Sequence, residues 1–247
     1  MKELYEMIFK RKSIRTYKEE LKISEGELKK ISEITSNLIP LSKDIKVLFK
    51  IVKREETTAK RGEYCLLMYS EKKNGYLQNA GYMFEQADLI LEKEDIGVCW
   101  YGMAKPKEKT INGLDYVIMF SLGKSVSEDF RNGISDFNRK TVETIWEGEF
   151  DQSVKEAVRL SPSACNSQPV SIKSENGKII LYRNSKIFTI MPPKTKEYFN
   201  TIDTGIAMCI LEISLEKINR KFTRTLCLGN ENEKGLIKIA GYTVGDM

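Results

Sequence analysis

The sequence predicts an α+β fold assembled from two halves in tandem, about residues 1–147 and 148–247, within one unit spanning 1–247. Three observations carry that prediction. Along the 247 residues the apolar positions switch repeatedly between helical and alternating spacing. The order of elements in the first half returns in the second. The second copy is displaced by 124 residues, half the chain: Gly81 aligns with Gly205, and Leu91-Glu92-Lys93 with Leu215-Glu216-Lys217.

Taken in order, Leu4, Met7 and Ile8 predict a short helix over 3–10. Ser24-x-x-Glu27 is a capping box opening a second helix with Leu28, Ile31 and Ile34 on one face. Ile45 to Ile51 alternates as a strand does, and Tyr64 to Tyr69 reads as another. From Leu77 to Glu92, Leu77, Gly81, Phe84, Asp88 and Leu91 share one helix face, an apolar stripe broken by a single acid. Ile96 to Tyr101 and Tyr116 to Leu122 are further strands. In the second half a helix over 151–160 is followed by a hairpin, Val170 to Lys173 and Lys178 to Tyr182, turned at Asn176-Gly177. A long apolar helix from Ile202 to Ile218 and strands near 222–227 and 236–244 complete it. The helix near Leu28 is shadowed by the one near Gln152, and the strand at Val47 by that at Ser171.

Composition narrows the chemistry. With 41% hydrophobic and 30% charged residues the chain is globular, and it is long enough to bury a core without disulfides or metals. It contains no histidine. No Ser-His-Asp or Cys-His relay, no His-ligated metal and no imidazole acid/base step can therefore be built. The net charge of +5 comes from 40 basic and 35 acidic residues interspersed along the chain, with no stripe suited to nucleic acid. That balance suits small anions. Five cysteines, an odd number without C-x-x-C spacing, indicate neither a zinc site nor a disulfide framework. Buried thiols of this kind point to a reducing, cytoplasmic setting. No apolar run is long enough to span a bilayer. The expectation is a protein without metal, membrane or nucleic-acid partner.

Two segments could carry chemistry. In Arg11-Lys12-Ser13-Ile14-Arg15-Thr16-Tyr17, alternation puts Arg11, Ser13 and Arg15 on one side and Ile14 on the other. Two guanidinium groups beside a hydroxyl suit a phosphate; spacing alone favours a basic helix terminus complementing the helix dipole. Ser161-Pro162-Ser163-Ala164-Cys165-Asn166-Ser167-Gln168-Pro169 is bounded by prolines and cannot continue the helix before it. It offers backbone groups and the Asn166 and Gln168 amides, either as a ligand loop or as a structural turn.

Together these segments resemble the flavin-binding signatures of the nitroreductase family, in which R-x-S-x-R and S-P-S-x-x-N-x-Q-P come from different subunits and FMN sits at their interface. The resemblance extends over most of the chain. It implies a three-layer α/β/α fold with mixed, mainly antiparallel sheets, the tandem halves forming an intramolecular pseudo-dimer. It also implies an FMN-dependent oxidoreductase that passes hydride from NAD(P)H through flavin N5 to a nitroaromatic, quinone or similar acceptor in a ping-pong cycle. Arg11, Ser13, Arg139 and Lys140 are expected at the flavin phosphate, Lys12 among the cofactor-binding residues beside them, and Arg15 nearer the ribityl chain or the N1–C2=O edge. Pro162, Ser163, Asn166 and Gln168 line the flavin from the second half, and Tyr101 and Gly102 lie where the family's strand approaches N5. No residue is required as acid or base.

The order of motifs departs from the family's. The slot where the S-P-S loop normally lies holds Leu38-Ile39-Pro40-Leu41-Ser42-Lys43-Asp44, without a matching Asn or Gln, and the second half lacks R-x-S-x-R. Val170 stands where Trp often follows Gln-Pro. The resemblance is therefore to single-chain tandem members with one complete flavin site, acting as a monomer or weak homodimer. A flavin-binding protein without turnover is the alternative.

Overall fold

The structure, a computed structural model, describes residues 1–227, 232–233 and 235–245. The chain divides into two compact units, 10–133 and 1–9 together with 134–247. The boundary expected near 147 thus falls inside the second unit, which also takes in the first nine residues.

The chain opens with a 3-10 turn, Lys2–Leu4, and helix α1, Tyr5–Ile8. Helix α2, Glu25–Ser36, starts at the predicted capping box: Ser24 Oγ accepts the Glu27 N–H, and the Glu27 carboxylate accepts from Ser24 N at 2.8 Å. A further bond from Lys124 Nζ at 2.6 Å helps to hold Glu27 down to a pKa of about 2. Strands β1, Val47–Lys53, and β2, Tyr64–Ser70, precede helix α3, Tyr76–Lys93. Then come β3, Ile96–Trp100, β4, Thr110–Ile111, and β5, Leu114–Lys124. The second unit holds α4, Val142–Ile145, β6, Trp146–Glu147, α5, Gln152–Arg159, β7, Val170–Glu175, and β8, Lys178–Asn184. Helix α6, Pro193–Lys217, and strands β9, Phe222–Leu226, β10, Asn232–Glu233, and β11, Leu236–Val244, complete it.

Helix α6 begins nine residues before the predicted start. Pro193 opens it with a pre-set φ, and its first turns are too polar and exposed to show an apolar face. The two-residue strands and α4 are too short to leave a periodic signature. Asn176 and Gly177, with φ of 49° and 71°, make the predicted hairpin turn between β7 and β8.

The two sheets share one plan. In the first unit the order is β1-β2-β5-β3, all antiparallel, with β4 folded back on β5. In the second, β7-β8-β11-β9 repeats that order and those directions, with β10 folded back on β11. Even the irregularity is repeated. Val117 is the extra residue where β5 passes Met68 and Tyr69, and Ile239 is the extra residue where β11 passes Tyr182 and Leu181. Each is the fourth residue of its strand. Only β6, which joins β7 in parallel, has no counterpart among the described strands of the first unit.

Strand β2 is buried on both faces, which explains its near-continuous apolar run. One face meets α3 through a ring cluster, Phe84 with Phe49, Trp100 and Phe120 at centroid separations of 4.1–5.8 Å. The other packs Cys65, Leu67 and Tyr69 with Met119, Ala59 and Ala104. Helix α3 is buried almost all round from Gln78 to Glu92, and α6 from Ile202 to Leu215. Among the described residues no helix is long and apolar enough to cross a membrane.

Tyr17 packs across the face of the first sheet over β5. Its ring lies across Gly123, and its hydroxyl donates to Ser121 O at 3.1 Å. A Cβ at Gly123 would sit 2.2 Å from Tyr17 Cδ1, so the ring has to leave its bed. Gly123→Ala is expected to destabilise the protein by about 1–3 kcal/mol, the usual cost of overpacking, read as a lower midpoint in urea unfolding with an unchanged slope.

Candidate functional site

In the second unit, α5 stops at Leu160 because Pro162 has no N–H to continue it. The loop that follows places three non-glycine residues in the left-handed region, Cys165, Asn166 and Gln168, with φ of 52°, 53° and 49°. Each such residue costs roughly 1–2 kcal/mol, so the surroundings must over-determine the turn. They do so from α6. The buried Asp203 carboxylate accepts the Ala164 N–H at 3.1 and 3.2 Å, and the buried Asn200 accepts from Ser167 Oγ at 2.9 Å. Within the loop, Gln168 N donates to Ser163 Oγ at 2.9 Å. Burial pushes the Asp203 carboxyl well above the usual range, against the opposing pull of the Ala164 N–H and the neighbouring Ser167 hydroxyl.

Four of the residues singled out from the sequence meet here. Arg139 donates through Nε to Ser161 O at 3.2 Å and through Nη1 to Asn166 Oδ1 at 2.7 Å. The Asn166 amide returns a bond to Asn138 O at 3.0 Å. Lys140 donates its backbone N–H to Gln168 Oε1 at 2.7 Å and its ammonium to Gln168 O at 3.2 Å. Partial burial lowers the Lys140 pKa. Pro162 and Ser163, with Asp203, line a cavity of about 20 Å³, room for about one water. Val170 begins β7 as a buried residue.

The R-x-S-x-R segment lies in the first unit, and the structure separates its two guanidinium groups. Ile14 is buried and donates its N–H to Val98 O at 2.8 Å, which anchors the segment beside β3. Arg15 is exposed, reaching only the Ser13 carbonyl at 3.5 Å. Arg11 is 2% exposed, with Nε 3.2 Å from Asp88 Oδ2 and Nη2 3.3 Å from Ser13 Oγ. The reason lies on α3, where Glu85, Asp88 and Glu92 fall on one buried face. These carboxylates more than offset the cost of burying Arg11, and its pKa rises above the ordinary arginine value. Glu92 is pushed upward, first by burial and then by Asp88, while its Oε2 accepts the Lys12 N–H at 2.9 Å. Trp100 Nε1 donates to Asp88 at 2.7 Å. Tyr101 extends the β3 pairing to Met119 O and lends its hydroxyl to Lys60 N; Gly102 occupies the turn beyond.

The displaced loop slot, Leu38 to Asp44, is pinned in the same manner. Asn79, 124 residues before Asp203, accepts the N–H groups of Leu41 and Ser42 at 2.8 and 3.2 Å, and Gln86 pairs with both backbone groups of Ile39. Asn79, Asn200 and Asp203 were not picked out from the sequence. Their only signal there is a polar residue inside an apolar helix.

Two units with one sheet order, one repeated bulge and one way of pinning a loop to a long helix define a nitroreductase-like α+β fold. A family model described as putative TM nitroreductase matches residues 3–215, and the chain belongs to that family. It is also similar to the crystal structure of a putative nitroreductase (TM1586) from Thermotoga maritima MSB8. The TM-score is 0.64 at 18% identity, covering 98% of this chain and 93% of that one, and this likeness shows the fold. No curated protein matches the sequence.

Asp203 makes the loop sensitive to pH. Because its pKa is raised on folding, the stability it contributes is complete below the ordinary aspartate value of 3.8 and declines as pH rises toward the folded value. Asp203→Asn retains an acceptor for Ala164 and removes the titration. Its melting temperature is expected to gain on the wild type as pH rises above about 4; a pH-independent difference would contradict the assignment. Asp203→Ala leaves the Ala164 N–H unpaired and should cost about 1–3 kcal/mol.

Proposed function

We propose that the protein is an FMN-dependent oxidoreductase taking reducing equivalents from NAD(P)H and reducing a nitroaromatic, quinone or similar acceptor in a ping-pong cycle. The observation that carries this reading is the strained, buried-acid-pinned loop 161–169, whose Asn166 and Gln168 amides sit with Arg139 and Lys140. The donor set fits the group. A guanidinium and an ammonium suit a phosphate dianion, and side-chain amides both donate and accept, as a flavin's ribityl hydroxyls and imide edge require.

In this reading Arg139 and Lys140 bind the phosphate, Asn166 and Gln168 meet the ribityl chain or ring edge, and Pro162 and Ser163 line the flavin. From the first unit, Ser13 and the exposed Arg15 are the candidate ligands. Arg11 holds Ser13 in place rather than binding phosphate itself, and Lys12 is tied through its backbone to Glu92. At Gly102 no side chain obstructs close approach. Bound FMN supplies the hydride-accepting ring, which is why a chain without histidine can serve. The two loop slots in one chain support a monomer or weak homodimer, and the free thiols a cytoplasmic protein.

A second reading, flavin binding without turnover, is favoured by the Leu38 to Asp44 slot, which lacks the Asn and Gln of its counterpart. The decisive experiment is reconstitution with FMN, desalting, and measurement of the flavin absorbance. Retained flavin is expected, with Asn166→Ala and Arg15→Ala each weakening it about tenfold, ~1.4 kcal/mol. NAD(P)H oxidation with a nitro or quinone acceptor then separates the two readings. Loss of all flavin on desalting the wild type would sink both.

A further inference from the structure

A cavity of about 740 Å³ opens in the first unit between residues 15–22, the β1–β2 connection and Gly123, lined only by residues of that unit. Its volume falls in the range of small-molecule sites, about 300–1,000 Å³. Seven of its sixteen lining residues are Lys or Arg, against three Glu. The whole chain carries +5, so most of the excess positive charge converges on this one concavity.

Two of the three acids there are already engaged. Glu55 pairs with Arg54 at 2.7 Å, and Glu63 Oε2 accepts the Ile23 N–H at 2.9 Å. The side chains of Lys18, Lys22, Lys53, Lys60 and Arg61 are exposed and have no carboxylate partner among the ion pairs of the described residues. Like charges gathered around a hollow repel one another and raise the local concentration of anions. Tyr17 and Tyr64 supply aromatic surface on the same wall. An open hollow of this size admits one molecule of nucleotide dimensions, whereas a nucleic-acid site takes the form of a stripe or a groove.

We propose that this cavity, which has Arg15 in common with the flavin reading and no lining residue from the loop 161–169, is a binding site for a small molecule bearing two or more linked phosphates. Lys18, Lys22, Lys53, Lys60 and Arg61 bind the phosphate chain, which can belong to a nucleotide or stand free. The site does not depend on the flavin reading, because flavin retention is measured separately by absorbance.

Isothermal titration calorimetry of the full chain, with FMN in excess, tests it using pyrophosphate, ATP and adenosine. Saturable binding of pyrophosphate and ATP is expected, with none of adenosine. ATP binding well above pyrophosphate assigns a nucleotide, and equal binding assigns the phosphate chain alone. The double variant Lys18→Ala/Lys60→Ala should weaken both at least about tenfold. The control Lys178→Ala/Lys221→Ala, which removes the same charge from exposed positions outside the cavity, should stay within about twofold. Raising salt from about 0.1 M to about 1 M, where screening shortens from about 10 Å to about 3 Å, should weaken binding further. The proposal is overturned by lack of saturable binding of either phosphate compound, by equal weakening in the control, or by displacement of FMN.

Discussion

A polar group inside an apolar helix is tolerable only when it finds a partner, because burying it unpaired costs several kcal/mol. Both long helices of this protein carry such groups, and the partners they find lie in the two motif segments, 11–17 and 161–169. Asp203 and Asn200 on α6 take up the backbone and hydroxyl of the loop 161–169, and Asp88 on α3 takes up Arg11 and Trp100. The helices are the rigid elements of each unit, so the motif segments inherit their rigidity. A left-handed turn through Cys165, Asn166 and Gln168 survives because the acid beneath it cannot be satisfied otherwise.

The same device appears twice, and the two copies have diverged chemically. Asn79 pins one loop and Asp203 the other, at equivalent positions. The first partner is neutral at every pH; the second titrates. A similar substitution has occurred further along, where Asp88 receives the indole of Trp100 and Glu212, 124 residues later, receives the guanidinium of Arg224 at 2.5 Å, each donor lying twelve residues beyond its acid. Scaffold geometry has been kept while the groups that fill it changed. The loop over Leu38 to Asp44 has such an anchor but no Asn or Gln, while the loop over Ser161 to Pro169 has the anchor together with Asn166 and Gln168.

Much of the fold was legible in the sequence because its signals are local. Ser24 and Glu27 cap a helix through their own side chains, and Asn176-Gly177 turns a hairpin through its own backbone. Strands buried on both faces announce themselves as apolar runs. The start of α6 was not legible, since its first turns have no apolar face, and two-residue strands such as β4 and β6 exist only through pairing with distant neighbours. Of the candidate site, the loop 161–169 and its basic neighbours could be picked out, but not what holds them. Asp203 lies 39 residues from Ala164, and nothing in an isolated polar residue names its partner. Alternation placed Arg11 and Arg15 on one side of a strand. It could not say that one meets water and the other three carboxylates.

The first nine residues belong to the second unit, and this sets an order of events during synthesis. Tyr5 donates to Ser153 O, the amino terminus pairs with Glu216 at 2.8 Å, and Lys217 reaches Glu6 at 2.9 Å. Residues 10–133 form a compact unit drawn from one continuous stretch of chain. The segment made first must wait for the end of α6, more than 200 residues later, before it can dock. A ribosome adds about 5–20 residues per second, so that wait lasts on the order of ten seconds or more. Until then Leu4, Tyr5 and Ile8, which are buried in the folded unit, lack the partners that cover them.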